Sequence, residues 1–199
     1  MQSRLSIAVI LLLLLGSCSS TQEDAPDWQV VNAGNLYALE LPPTFEKGYG
    51  MHDYATLQYH DLENSIFLLG IEDAKENLGE IKRRRLKIGG YFNFVEDIVL
   101  EQVEFYQREA TQQCKLPGTL DYETRIRDYY VSHNPWAPFP LFYRIAVYES
   151  EEYFFQLVLW MPYDDHCDAY PVLERITKSF VLGEGAIGQP KIPTELTRH

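Results

Sequence analysis

Three places in this sequence bring together residue types that can do chemistry. Cys18 directly follows Leu15-Gly16-Ser17, so a thiol stands at the end of an apolar run with small residues on both sides. Asp164-Asp165-His166-Cys167-Asp168 is the densest set of potential metal ligands, and Ser132-His133 puts a hydroxyl beside an imidazole. The last two are weak as chemistry. Adjacent residues of one segment cannot all converge on one ion, and Ser132-His133 comes with no third group to orient the histidine for nucleophilic attack. No Gly-x-Ser-x-Gly elbow, His-Glu-x-x-His pair, phosphate-cradling glycine loop or EF-hand loop occurs. The sequence therefore offers no catalytic residue, no metal and no cofactor, and an enzyme is not expected.

What stands before Cys18 decides its meaning. Arg4 supplies a positive start, and Ile7 to Leu15 is an unbroken apolar run. That run is too short to cross a hydrocarbon core of about 30 Å as a helix, so it reads as an export signal. Leu15-Gly16-Ser17-Cys18 resembles the lipobox of bacterial lipoproteins. The resemblance implies that residues 1–17 are removed and that Cys18 carries fatty acyl chains such as palmitate on its thiol and new amino terminus. Several such chains make membrane attachment effectively permanent, since each buried methylene contributes about 0.8 kcal/mol. An ordinary secretory signal with a cysteine near the cut is the alternative. Ser19 resembles the residue found in lipoproteins sorted to the outer membrane, and Gln22-Glu23-Asp24 resembles the surface-export signal of Bacteroidota. The expected location is thus the bacterial cell envelope, at the outer membrane facing the periplasm, with surface exposure as the variant.

Composition narrows the partners. The chain of 199 residues has 29 acidic against 17 Lys and Arg residues, a formal net charge of −12. Loss of the signal removes only Arg4 and leaves the protein still more acidic. Nucleic acid and bare anionic lipid both attract Lys and Arg, so neither is an expected partner. Lys82-Arg83-Arg84-Arg85-Leu86-Lys87 is the only dense basic cluster. It reads first as the solvated face of a helix and second as an anion, headgroup or partner contact. With Cys18 assigned to lipid, Cys114 and Cys167 remain as a pair in an oxidising compartment. A disulfide between them would close a loop of about fifty residues, for about 4 kcal/mol in the chain-entropy view. Two independent buried thiols are the alternative.

The elements that must carry these residues follow in order. Residues 18–29 are polar and without periodicity, a tether. Asn35 to Leu41 reads as a strand stopped by Pro42-Pro43. Ala55 to His60 and Ser65 to Glu72 form a hairpin around Asp61-Leu62-Glu63-Asn64. Its second arm, Ile66-Phe67-Leu68-Leu69-Gly70-Ile71, does not alternate, which predicts a strand covered on both faces. Leu78 to Val103 carries a helical period through Leu78, Ile81, Ile88, Phe92, Val95 and Val99, interrupted at Gly89-Gly90, where a kink or division is expected. Val103 to Thr111 and Thr119 to Tyr130 read as strands. Phe142 to Tyr148 and Glu152 to Met161 make the clearest hairpin, its second arm apolar almost throughout and so central. Ala169 to Lys178 reads as a short helix with Leu173, Ile176 and Phe180 inward. From Gly183 onward the composition is that of a disordered tail.

The expected fold class is α+β: a mostly antiparallel sheet of about six strands with helices on both faces, a three-layer α/β/α sandwich spanning residues 30–182. Tyr37-Ala38-Leu39-Glu40-Leu41-Pro42 near the start and Phe154 to Phe180 near the end, with the element order between them, resemble the Mog1/PsbP-like fold. That resemblance implies a binding or accessory subunit. The leading expectation is a non-enzymatic lipid-anchored module that binds a protein or another envelope component. A carrier of a small apolar ligand held between sheet and helix, near Phe92, Tyr130, Phe142 and Trp160, is the rival, and a hydrolase ranks last. An enclosed cavity would favour the carrier, and a solid core with an exposed aromatic patch the partner-binding module. Trp136 and Phe139, in a loop stiffened by Pro135, Pro138 and Pro140, are the expected partner-binding anchors; a lid folded onto the sheet edge is the bland reading.

Overall fold

Successive residues of one long strand divide their side chains between two apolar clusters, and the domain is built around that alternation. In the computed structural model, which describes residues 27–79, 87–101, 103, 105–108, 112–114, 123–134 and 137–184, this strand is β9 (Leu141–Glu149). Phe142, Ala146 and Tyr148 belong to one cluster and Leu141, Ile145 and Val147 to the other. Side chains a residue apart on a strand point to opposite faces, so a sequence apolar at consecutive positions is buried twice.

The strands are β1 (Gln29–Ala33), β2 (Tyr37–Leu41), β3 (Glu46–Lys47), β4 (Leu57–Asp61), β5 (Ile66–Ala74), β6 (Phe105–Arg108), β7 (Gln112–Cys114), β8 (Glu123–His133), β9, β10 (Tyr153–Pro162) and β11 (Val181–Leu182). The large sheet runs β3-β4-β5-β10-β9-β8-β6, with β7 also paired to β8; β1, β2 and β11 form a small second sheet. Every pairing is antiparallel. Among the described residues there are two α-helices, α1 (Ile88–Leu100) and α2 (His166–Lys178). The domain is α+β, as expected, with a sheet wider than the six strands expected: β3 spans only two residues, and β6 and β7 share one edge of β8. Both clusters and both sheets lie between Gln29 and Leu182, so the domain carries its own core.

The α2 cluster is closed. Leu173, Ile176 and Phe180 pack with Tyr37, Leu39 and Leu41 of β2 and with Phe155, Leu157 and Leu159 of β10, all essentially inaccessible. Phe180 stacks on Tyr148 at 3.9 Å between centroids and on Tyr37 at 5.2 Å, and the Tyr148 hydroxyl donates to the Thr177 carbonyl at 2.5 Å. A side chain at Gly70 would collide with the Tyr37 hydroxyl and with Leu57, so this glycine is required by close approach. Arg144 lies under α2, nearly inaccessible, and donates to both Asp128 oxygens at 2.7 Å, its guanidinium 4.4 Å from the Tyr170 ring. Such a bidentate pair satisfies two charges that would otherwise be costly to bury.

Gly89-Gly90 lies within the first turn of α1, which begins where the interruption of the helical period was expected. The Glu149 carboxylate accepts from the Ile88 backbone N–H at 2.8 Å and from Lys75 Nζ at 2.7 Å. A carboxylate there satisfies an orphan donor and complements the helix dipole. The expected earlier half of this helix, with the basic cluster up to Leu86, lies outside the described residues, as do Cys18, the tether to Pro26 and the tail from Gly185. At α2 the helix begins at His166, three residues before Ala169, because a 3-10 turn over Tyr163–Asp165 runs directly into it.

The expected Cys114–Cys167 disulfide is not formed. Cys167 is an exposed free thiol in the first turn of α2. Cys114 pairs with Thr124, which pairs with Tyr148, and Tyr148 bonds Thr177 at the far end of α2. Neighbouring His166 instead stacks on Phe142, six residues and about 20 Å along β9 from Tyr148. That separation is well beyond the ~7 Å that a disulfide tolerates between Cα atoms.

Candidate functional site: an open apolar groove beside helix α1

The α1 cluster is covered over only part of the sheet. α1 packs against β8, β9 and β10 through Ile88, Tyr91, Phe92 and Val95. Among the described residues, neither helix packs over the outer half, β5 and the adjoining edge of β10. Along β5 the residues Ile66, Leu68 and Gly70 are buried, while Phe67, Leu69 and Ile71 on the other face are only half-buried. This corrects the expectation that the run is covered on both sides.

Those half-covered residues floor a groove of about 510 Å³ between β5, β10 and the flank of α1. Leu69, Ile71, Val158 and Trp160 form the floor, and Phe94, Ile98 and Val99 form the helix wall. Phe94 is 50% exposed and Ile98 55% exposed, one helical turn apart, as large apolar side chains facing water. Tyr54, almost wholly exposed, and His52 stand at the rim. From Phe67 to Asp73 the floor is about 20 Å long.

The two ends differ in chemistry. At one, Trp160 stacks on Phe67 at 5.3 Å and lies 6.4 Å from Tyr143. Burial pushes the Tyr143 hydroxyl up in pKa, and it accepts from Asn134 Nδ2 at 3.1 Å. At the other end the Tyr91 hydroxyl donates to Asp73 and accepts from Gln156 Nε2 at 3.2 Å. Burial, reinforced by the Asp73 carboxylate, raises the Tyr91 pKa far above that of a free tyrosine, so this hydroxyl stays a donor. The Tyr91 ring in turn stacks on Phe154 at 4.3 Å, which locks it in place.

Few of the residues singled out in the sequence gather here. Of the four expected to line a carrier site, only Trp160 does: Phe92 is core, Phe142 belongs to the α2 cluster, and Tyr130 packs edge-on against Tyr163 at 4.3 Å. Phe139 is 47% exposed, and Trp136 lies outside the described residues. The loop is tied to the groove's aromatic end through the Asn134–Tyr143 bond. Ser132 and His133 are both exposed. Asp165 and Asp168 border a second, more polar cleft of about 390 Å³ with Asp61 and Glu63, and among the described residues no group of three acidic, His or Cys side chains is placed to share a metal. Phe94 and Ile98 were missed because, within α1, the expected helical stripe ran through Ile88, Phe92, Val95 and Val99 and left them off it. Eight of the thirteen residues of α1 are large and apolar, more than one buried stripe uses.

No protein-family model matches the chain, nor does the sequence of any curated protein. Solved structures do. The cyanobacterial PsbP of Synechocystis sp. PCC 6803 aligns with a TM-score of 0.56 at 14% identity, covering 85% of this chain and 99% of that one. A Mog1 point mutant aligns at 0.53 with 8% identity, covering 79% and 96%. LpqN of Mycobacterium tuberculosis, described as involved in cell envelope biogenesis, aligns at 0.51 with 11% identity, covering 79% and 91%. The chain has the Mog1/PsbP-like fold. At these identities the likeness is one of architecture, and function must be argued from the site.

Proposed function

We propose that this protein is a non-enzymatic, lipid-anchored binding module of the bacterial cell envelope, and that the groove beside α1 is its docking surface. The carrying observation is the pair Phe94 and Ile98, half-exposed over an apolar floor that no described element covers. Large contiguous apolar surface on a soluble domain marks interaction sites. The groove opens to solvent along its rim, which supports a partner-binding module over a carrier that encloses its ligand. The alternation along β9 also supports a three-layer arrangement, with α1 and α2 against opposite faces. Phe139 extends the surface at the aromatic end.

The envelope location rests on the lipobox-like Leu15-Gly16-Ser17-Cys18, and the neighbour LpqN, described as involved in cell envelope biogenesis, is consistent with it. The anchored reading expects a chain beginning at acylated Cys18; mass spectrometry of the native protein showing an unmodified Cys18 would end it. The docking reading expects a photo-crosslinking residue placed at Ile98 in living cells to give a discrete adduct that the same residue at exposed Val181 does not. Equal or absent adducts from both positions would remove the groove as the docking surface.

A further inference from the structure

The polar end of the groove restricts what can enter it. Tyr91 donates its hydroxyl to Asp73, and Gln156 donates one of its two Nε2 hydrogens to that hydroxyl. Beside the second Nε2 hydrogen, two acceptors remain at this end, the second Asp73 oxygen and Gln156 Oε1, neither of which has a donor among the described residues. Among the described residues, no Lys or Arg lines the groove. The nearest cation on the strand, Lys75, is held by Glu149 and by the Ser150 carbonyl, both at 2.7 Å. The occupant must therefore bring its own N–H donors to this end, and a positive charge suits both Asp73 and a chain of net charge −12.

Resting on the docking role proposed above, we infer that the groove takes an amphipathic segment of a partner protein, its apolar side chains between Ile71, Val158 and Ile98 and a Lys or Arg at the Asp73 and Gln156 end. A helix of about fourteen residues is about 21 Å long and matches the floor. Exposed Tyr54, Phe94 and Ile98 leave the groove open to solvent, as a polypeptide requires. Charge orients the segment, since only one end of the groove is anionic while the other is the Trp160, Tyr143 and Phe67 stack.

The test uses the chain from Ser19 onward, which contains every described element and both cores. Three fourteen-residue helical peptides share one leucine and alanine face and differ only in carrying Lys, Gln or Glu at the polar positions; calorimetry measures each at low and high salt. The Lys peptide is expected to bind about tenfold tighter than the Gln peptide, and Asp73→Asn to remove most of that ratio. Glu174→Gln, an exposed acid on α2, should leave the ratio intact, and Ile98→Glu should weaken Lys and Gln peptides alike. If Lys and Gln peptides bind equally and both need Ile98, the groove stands and the charged anchor falls. If Asp73→Asn and Glu174→Gln act equally, the attraction is bulk acidity and the inference is overturned. No peptide binding overturns the inference; saturation by dodecyltrimethylammonium instead gives the groove to a lipid-like amphiphile, dimerisation lost with Ile98→Glu gives it to a second copy, and none of these removes the docking role as well.

Discussion

The two apolar clusters use the same strands and spend them differently. Beneath α2, the small sheet β1-β2-β11 and the helix together seal Phe155, Leu157 and Leu159 completely. Beside α1, no described element covers the outer strands, and Leu69 and Ile71 of the same sheet stay half-buried. The difference teaches that apolar content in a strand does not by itself mean core. One cluster holds the fold, and the margin of the other is free to be a surface.

That comparison can be broken most forcefully from the sealed side. Phe155→Ala removes a ring that contacts Tyr37, Tyr153 and Phe180, at 5.3, 5.7 and 5.4 Å. It should cost about 3 to 5 kcal/mol in urea unfolding, and a cost below about 1 kcal/mol would mean that the α2 cluster is not the stabilising one. Arg144→Ala leaves Asp128 charged, buried and unpaired, with a comparable expected loss of about 3 to 5 kcal/mol. The double replacement Arg144→Met, Asp128→Leu should recover most of it, which separates the burial of charge from the packing of the site.

A smaller effect lies at the edge of β4. Burial raises the pKa of the Asp61 carboxyl, but hydrogen bonds from Asn64 and from the Thr44 hydroxyl at 2.7 Å outweigh it and hold the group below the ordinary aspartate value. A depressed folded-state pKa contributes stability above the unfolded value of about 3.9 and loses it as pH falls through the folded value. Wild type should therefore lose more stability between pH 5 and pH 2 than Asp61→Asn does. Parallel thermal melts across that interval check it; identical slopes would show that Asp61 is not linked to folding.

Much of this architecture was readable. The run Tyr153 to Met161 announced a central strand, and β10 lies between β5 and β9. Punctuation at Pro42, Asp61 to Asn64 and Pro162 located real strand ends, because proline and turn residues act locally. β1 was not read as a strand, since Gln29-Val30-Val31-Asn32-Ala33 is too short and mixed to alternate clearly, and its strand is held by pairing with β2. The groove was not readable for a related reason. Periodicity says which side of a helix is apolar but not how far across a sheet the helix lies, and α1 settles over β8 and β9, leaving β5 bare. Cys114 and Cys167 failed as a pair because spacing in the chain carries no information about register across three strands.

The central claim is that the margin of the α1 cluster is spared by folding and used for contact. The most direct measurement places a photo-crosslinking residue at Tyr54, on the groove rim, in the wild-type and Phe94→Glu, Ile98→Glu backgrounds, with the melting midpoint taken on the same proteins. The account predicts a stability change of about 1 kcal/mol or less, as for surface positions, together with loss of the adduct. An adduct that persists undiminished, or a melting midpoint that collapses as it does for Phe155→Ala, would contradict it.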